Sequence, residues 1–124
     1  MPITFRSDHG SETILTTATG ILSCPDILAH IHAKTVADLT TYDELFDAQD
    51  VTLDVSIAEL GLIAKKVKEA TGKQNPGRIG VVTNSGFIYG LAKLYASITE
   101  KDNPHFEIFQ DRDAALSWIA GKGK

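Results

Sequence analysis

Apolar runs and helical apolar stripes alternate along the second half of the chain. Residues 78–83 (RIGVVT) form a short apolar run, which is typical of a strand covered on both faces of a parallel sheet. Apolar residues then recur at helical spacing over 87–98. A second run at 105–109 precedes a final helical stripe, which Asp111 is placed to cap. This half predicts a strand, a helix, a strand and a helix, with 78–83 as a central strand.

The first half begins with two segments rich in β-branched residues, 3–6 and 13–20, on either side of a cluster of turn-forming residues. This arrangement is typical of an antiparallel hairpin. Ser23 can cap a first helix, which ends near Asp38. Residues 42–48 alternate well enough for a third strand. Three acidic residues of this strand favour a solvated position at a sheet edge or a strand end: Asp43, Glu44 and Asp47.

A second helix follows a predicted loop at 49–56. Ser56 and Glu59 have the spacing of a capping box at its start, and Gly72 supplies its stop. Cations near the C-terminal end of this helix offset the helix dipole, so we interpret its lysine group as structural.

The whole pattern predicts one α/β domain over residues 1–124 with the element order ββαβαβαβα. Four helices cover a mixed, mostly parallel five-stranded sheet. The composition, 43% hydrophobic and 23% charged, is that of an ordinary globular chain of 124 residues. Residues 121–124 are predicted to be a flexible tail.

The net charge of -4 argues against a nucleic-acid-binding protein, because such proteins carry a basic surface. A single cysteine, Cys24, cannot form an internal disulfide, and no early basic segment leads into an apolar one. The sequence therefore predicts a cytoplasmic protein. No apolar run is long enough for a transmembrane segment.

The chain offers little of the chemistry that catalysis or metal binding needs. His30 and His32 are two residues apart on a predicted helix and point to different sides, while His9 and His105 lie in distant segments. Cys24 is interpreted as a small buried hydrophobe. There is no glycine-rich phosphate loop, and no nucleophile with a partner base is evident. We therefore predict no metal, no cofactor and no enzymatic activity. An enzyme ranks third, behind a binding module and a ligand carrier.

The candidate binding site is a polar turn at the end of the strand 78–83. It consists of Thr83, Asn84, Ser85 and Gly86 and continues into Phe87. Ligands of open α/β sheets bind where such a strand ends and a helix begins, and free backbone N–H groups there can hold an anion. Asn and Ser are also preferred helix caps, and capping alone explains them. Asp54, in the predicted loop 49–56, is expected at the same edge of the sheet.

The segment GRIGVVTNSGFIYGLAKLYAS, followed by FEIFQDRDAALSWI, resembles the SpoIIAA-like family. This family is related to the STAS domains of anti-sigma factor antagonists and, more distantly, to CRAL-TRIO lipid carriers. One matching motif is GLAKLY, residues 90–95. The other consists of Phe109, Asp111, Ala115, Trp118 and Ile119. These positions are mainly core and cap positions, so they specify the fold more than the function.

The resemblance implies a small regulatory or ligand-binding protein with no established reaction. Anti-sigma factor antagonists of this kind carry an Asp-Ser-Ser/Thr-Gly motif whose serine is phosphorylated. The corresponding residues here, 54–57, read Asp-Val-Ser-Ile, so the motif is absent. Phosphorylation of Ser56 at a helix N-terminus is a second hypothesis beside its role as a cap.

The sequence leaves two functional hypotheses. The first is a non-enzymatic STAS-like module that binds a protein partner or a small apolar or anionic ligand at 83–87 and the loop 49–56. The alternative is a carrier of a lipid or small apolar ligand, held between the sheet and the first or third helix. Phe87 and Tyr95 are predicted in the core and Tyr89 on another face of the helix. A homodimer through an exposed first or last strand is a further prediction.

Overall fold

The nine predicted elements follow one another in the predicted order in a computed structural model, which describes residues 2–74, 76–103 and 105–121. The strands are β1 Ile3–Asp8, β2 Thr13–Ser23, β3 Asp43–Asp54, β4 Ile79–Val82 and β5 Phe106–Phe109. The helices are α1 Cys24–Val36, α2 Ile57–Thr71, α3 Gly86–Thr99 and α4 Arg112–Ala120. Of the predicted tail, residues 122–124 lie outside the described residues.

The five strands form one sheet in the order β1-β2-β3-β4-β5. The pairing of β1 with β2 is antiparallel and the other three pairings are parallel among the described residues, which confirms the predicted mixed, mostly parallel sheet. The strand β4 lies between β3 and β5, and β3 is the middle strand. The predicted edge position of the third strand is therefore wrong. Its acidic residues have partners on distant segments that the alternation pattern does not reveal.

The two strands β2 and β3 extend well beyond the rest of the sheet. Their register runs to the pair of Ser23 with Asp54, after a shift between Thr17 and Thr19. The predicted loop 49–56 is thus mostly strand, and only Val55 and Ser56 separate β3 from α2. The extension forms because β2 and β3 supply backbone hydrogen-bond partners to each other. The side chains of residues 49–54 alone are too polar to predict a strand.

Helices cover the two faces of the sheet unequally. The helices α1, α2 and α3 pack on one face around a buried cluster of Cys24, Ile31, Val55, Leu60 and Ile63. The helix α4 packs on the other face, where Leu45, Val82, Ala115 and Ile119 are buried together. Successive residues of a strand point to opposite faces, so β3 supplies both layers of the core.

Short-range hydrogen bonds fix the helix ends where the sequence predicts them. Ser56 and Glu59 form a complete capping box on α2, and the helix stops at Gly72 with φ of 64°. The carboxylate of Asp111 accepts a hydrogen bond from the N–H of Asp113 at the start of α4. These caps satisfy backbone groups that the helices themselves leave without partners.

The backbone of Gly77 passes directly over the backbone between Tyr42 and Asp43. A Cβ atom at Gly77 would overlap the carbonyl group of Tyr42, and this rigid backbone cannot move aside as a side chain can. We expect Gly77→Ala to lower the free energy of unfolding by about 3 kcal/mol, because the entry into β4 must shift. Chemical denaturation followed by circular dichroism measures this loss.

A matched glycine replacement serves as the control for Gly77→Ala. Gly61 lies on the exposed side of α2, and its added Cβ meets nothing within 4 Å. Gly61→Ala should raise stability by about 0.5–1 kcal/mol, since alanine loses less entropy in a helix. Equal effects of the two substitutions would contradict the close approach at Gly77.

Candidate functional site

The turn after β4 is held by its own hydrogen bonds. Thr83 is buried, and its N–H donates to the carbonyl oxygen of Phe109 at 2.9 Å. Its Oγ1 accepts from the N–H of Ser85 at 3.1 Å, and Ser85 Oγ caps α3 by accepting from the N–H of Ile88 at 3.2 Å. The side chains of Thr83 and Ser85 therefore stabilise the turn, whereas Asn84 is exposed.

Phe87 points outward in the first turn of α3, with 61% of the residue exposed, and Ile88 takes the buried position with 5%. The prediction of Phe87 in the core is wrong, because the cap at Ser85 sets the helix start and turns Ile88 toward the sheet. Tyr95 is partly buried and Tyr89 is 44% exposed. The exposed residues Asn84, Gly86 and Phe87 are called the turn surface below.

The register separates the turn surface from Asp54 and Ser56. Val82, the last residue of β4, pairs with Asp47. Asp54 lies seven residues further along β3, which corresponds to about 23 Å of extended chain. The turn surface and Asp54 both lie at C-terminal strand ends, but the extension of β3 carries Asp54 away from the turn. Asp54 and Ser56 are exposed beside Ile57, which is 65% exposed.

A buried polar cluster on β3 was missed by the sequence analysis. Glu44 is 3% exposed, although the sequence suggests a solvated carboxylate. Its Oε2 accepts from Thr16 Oγ1 at 2.6 Å and contacts His30 Nε2 at 2.7 Å. Its Oε1 accepts from Lys34 Nζ at 2.6 Å. The cluster thus ties the middle strand to β2 and to α1.

These partners compensate the burial of the Glu44 carboxylate. Burial alone would raise the pKa of Glu44, but the charge of Lys34 and the hydrogen bond from His30 hold the pKa well below its usual value. Burial, together with the negative charge of Glu44, raises the pKa of Tyr95 to about 12. One signal was available in the sequence, since His30 and Lys34 are four residues apart and share a helix face.

The other acidic residues of β3 also depart from the predicted solvated setting. Asp43 is 7% exposed. Its Oδ1 accepts a hydrogen bond at 2.8 Å from the N–H of Arg78, the residue that precedes β4. Asp47 is partly buried, with its Oδ2 3.4 Å from Arg112 Nε on α4. Each carboxylate therefore connects β3 to a segment distant in sequence.

The histidines do not come together as a metal site. Within residues 2–74, 76–103 and 105–121, no group of three or more histidine, cysteine or acidic residues could hold a metal ion. His9 Nδ1 instead lies 2.6 Å from the hydroxyl oxygen of Tyr42. In the same part of the chain, no helix has both the length and the apolar character of a membrane span.

Glu44→Gln should lower the free energy of unfolding at neutral pH by about 3–5 kcal/mol, because it leaves Lys34 without its buried counter-charge. The pKa of Glu44 is depressed in the folded state, so its stabilisation is present above the ordinary carboxylate pKa and is lost as pH falls toward the folded value. The stability gap between wild type and Glu44→Gln should therefore narrow from about pH 5 to about pH 3.

Urea denaturation across this pH range measures the gap. The exposed Glu107 on β5 provides the control, since Glu107→Gln should change stability by no more than about 0.5 kcal/mol. A gap that stays constant through the acidic range would show that the charge of Glu44 does not stabilise the fold.

Comparisons with known proteins find likeness in structure alone. No protein-family model matches the sequence, and no curated protein matches it. An uncharacterised DUF3478 protein with a SpoIIAA-like fold from Shewanella loihica PV-4 has a TM-score of 0.61 at 16% identity, covering 94% of this chain and 93% of that one. An anti-sigma factor antagonist from Mycobacterium paratuberculosis has a TM-score of 0.59 at 21% identity, covering 95% and 94%.

The unphosphorylated anti-sigma factor antagonist SpoIIAA has a TM-score of 0.58 at 12% identity, covering 96% of this chain and 98% of that one. These identities are low, and the likeness extends over nearly the full length of each chain. The strand order, the crossovers and these matches together show that the chain has the SpoIIAA-like fold.

Proposed function

We propose that the protein is a non-enzymatic regulatory module that binds a protein partner through the turn surface. The observation that carries this proposal is the exposure of Phe87, 61%, on a turn that Thr83 and Ser85 hold in place. A rigid exposed aromatic residue loses little entropy when a partner covers it, and aromatic residues dominate binding hot spots. The exposed Asn84 beside it adds a hydrogen-bonding group.

The kind of partner is suggested by the proteins that share the fold. Two of them are anti-sigma factor antagonists, so an anti-sigma factor is the partner class that we propose to test first. Its surface would need an apolar pocket for Phe87 and a polar rim that faces Asn84. A small anionic ligand at the turn has weaker support, since Ser85 Oγ already binds the N–H of Ile88 and the first turn of any helix exposes N–H groups.

Ser56 is proposed as a structural cap. Its Oγ accepts from the N–H of Glu59 at 3.2 Å, and Glu59 Oε1 accepts from the N–H of Ser56 at 2.8 Å. This reciprocal pair accounts for both residues without a phosphate. Regulation through Ser56 stays a prediction, as do a cytoplasmic location and a homodimer through an edge strand.

The alternative of a lipid carrier depends on the size of an internal cavity. A cavity of about 160 Å³ lies between the sheet and the helices α1, α2 and α3. A cavity of about 150 Å³ accommodates one benzene molecule. A cavity of this volume is too small to enclose a long acyl chain. The carrier hypothesis is therefore limited to a much smaller ligand.

Ser85→Ala should lower the free energy of unfolding by about 0.5–2 kcal/mol, because α3 loses its cap. Asn84→Ala should change stability by no more than about 0.5 kcal/mol but weaken binding of the partner, since Asn84 is exposed. Denaturation curves and binding titrations on the two variants separate these roles. A large stability loss in Asn84→Ala would place this residue in the turn structure instead.

Phe87→Ser should reduce recovery of the protein partner at least about tenfold, since it removes the aromatic anchor of the surface. The measurement is affinity purification from the protein's own cells, with quantitative mass spectrometry of the retained proteins. The purified pair is then titrated by calorimetry.

Val36→Ser is the matched control for Phe87→Ser. Val36 is 74% exposed at the C-terminal end of α1, away from the turn surface. The partner assigned to the turn surface must be retained by Val36→Ser and lost by Phe87→Ser. If a directly bound partner shows equal affinity for the wild type and Phe87→Ser, the turn surface is not its binding site.

A further inference from the structure

The sheet and its three-helix layer do not close completely on each other. The cavity of about 160 Å³ lies between them, with an almost entirely apolar lining. Side chains from both layers that face it remain partly exposed: Ile79, Val81 and Phe106 from the sheet, and Leu91 and Ala92 from α3. Small residues contribute to this gap, since Ala48 on β3 and Ala92 on α3 both line it. An apolar space of this size accepts a molecule the size of one aromatic ring.

The apolar wall is interrupted by the buried polar cluster. Glu44, His30, Lys34 and Tyr95 all line the cavity. The ammonium group of Lys34 has three N–H donors. Within the described residues, one of them donates a hydrogen bond, to Glu44 Oε1. The Tyr95 hydroxyl makes no hydrogen bond within the described residues, while its ring contacts Phe106 with 5.3 Å between centroids. The cavity therefore presents hydrogen-bond donors beside an apolar space.

The charges of the cluster limit the kind of ligand. The carboxylate of Glu44 already contacts both groups that can carry positive charge, Lys34 and His30. A ligand carboxylate would bring a second negative charge into a buried site without a cation of its own, which is costly. A neutral acceptor such as a carbonyl oxygen meets the donors without that cost.

We propose that this cavity binds a small neutral molecule with a ring-sized apolar body and one hydrogen-bond acceptor, which Tyr95 or Lys34 contacts. The cavity contains no residue of the turn surface, so this proposal can be tested independently of the proposed protein partner.

Three probes of similar size test the proposal by NMR titration of the ¹⁵N-labelled protein. Acetophenone carries a ring and a neutral acceptor, ethylbenzene carries the ring without the acceptor, and benzoate carries a charged carboxylate. We expect saturable shifts of residues around the cavity with acetophenone, binding about fivefold tighter than that of ethylbenzene. Benzoate should bind at least about tenfold more weakly than acetophenone, since its charge stays unpaired.

Two variants locate the bound probe. Ala92→Leu fills the cavity and should abolish binding of both neutral probes while the protein keeps its thermal stability. Tyr95→Phe keeps the ring and removes the hydroxyl. A reduced preference for acetophenone over ethylbenzene assigns the donor to Tyr95, and an unchanged preference overturns that role and assigns the donor to Lys34. Tyr89→Phe is the control for Tyr95→Phe, since Tyr89 is exposed on the same helix and does not line the cavity.

Each result decides for or against the proposal. Absence of saturable shifts with acetophenone at millimolar concentrations overturns it, and so does undiminished binding to a folded Ala92→Leu protein. Tighter binding of benzoate than of acetophenone overturns the charge argument and points to an anionic ligand instead. Equal affinity for acetophenone and ethylbenzene in the wild type shows that the donors are not used and overturns the acceptor requirement.

Discussion

The buried carboxylate of Glu44 is the constraint on which the arrangement of this fold depends. It lies on the middle strand and takes its partners from two other elements, Thr16 from β2 and His30 and Lys34 from α1. A buried charge is tolerated only with paired charges and hydrogen bonds, so α1 must sit at one height and in one rotation over the sheet. Apolar packing alone would permit sliding at much lower cost, because hydrophobic contacts are not directional.

The opposite face of β3 follows a different rule. Leu45 packs there with Val82, Ala115 and Ile119 in a wholly apolar cluster beneath α4. At the margin of this layer Arg112 pairs with Asp47. The middle strand thus combines a polar anchor on one face with apolar packing on the other, and its alternating side chains make both possible. The cavity lies on the anchored face, where the layer contains small side chains such as Ala92.

Backbone pairing decides where candidate sites lie. The long ladder of β2 with β3 carries Ser56 beyond the level of the short strands β4 and β5. The turn surface consequently stands apart from the start of α2, although both follow C-terminal strand ends. Its shape comes from hydrogen bonds that span a few residues, and the outward direction of Phe87 follows from the cap at Ser85.

The sequence by itself determined the order of elements, the mixed parallel sheet and the helix ends at Ser56, Gly72 and Asp111. These features depend on periodicity and on hydrogen bonds between residues a few positions apart, so the local sequence is sufficient to predict them. Only the tertiary structure decided that β3 is central, that Glu44 is buried and that the strands extend to Ser23 and Asp54. Those outcomes join residues far apart in the chain, and a carboxylate in a strand is exposed or buried according to partners that local patterns do not specify.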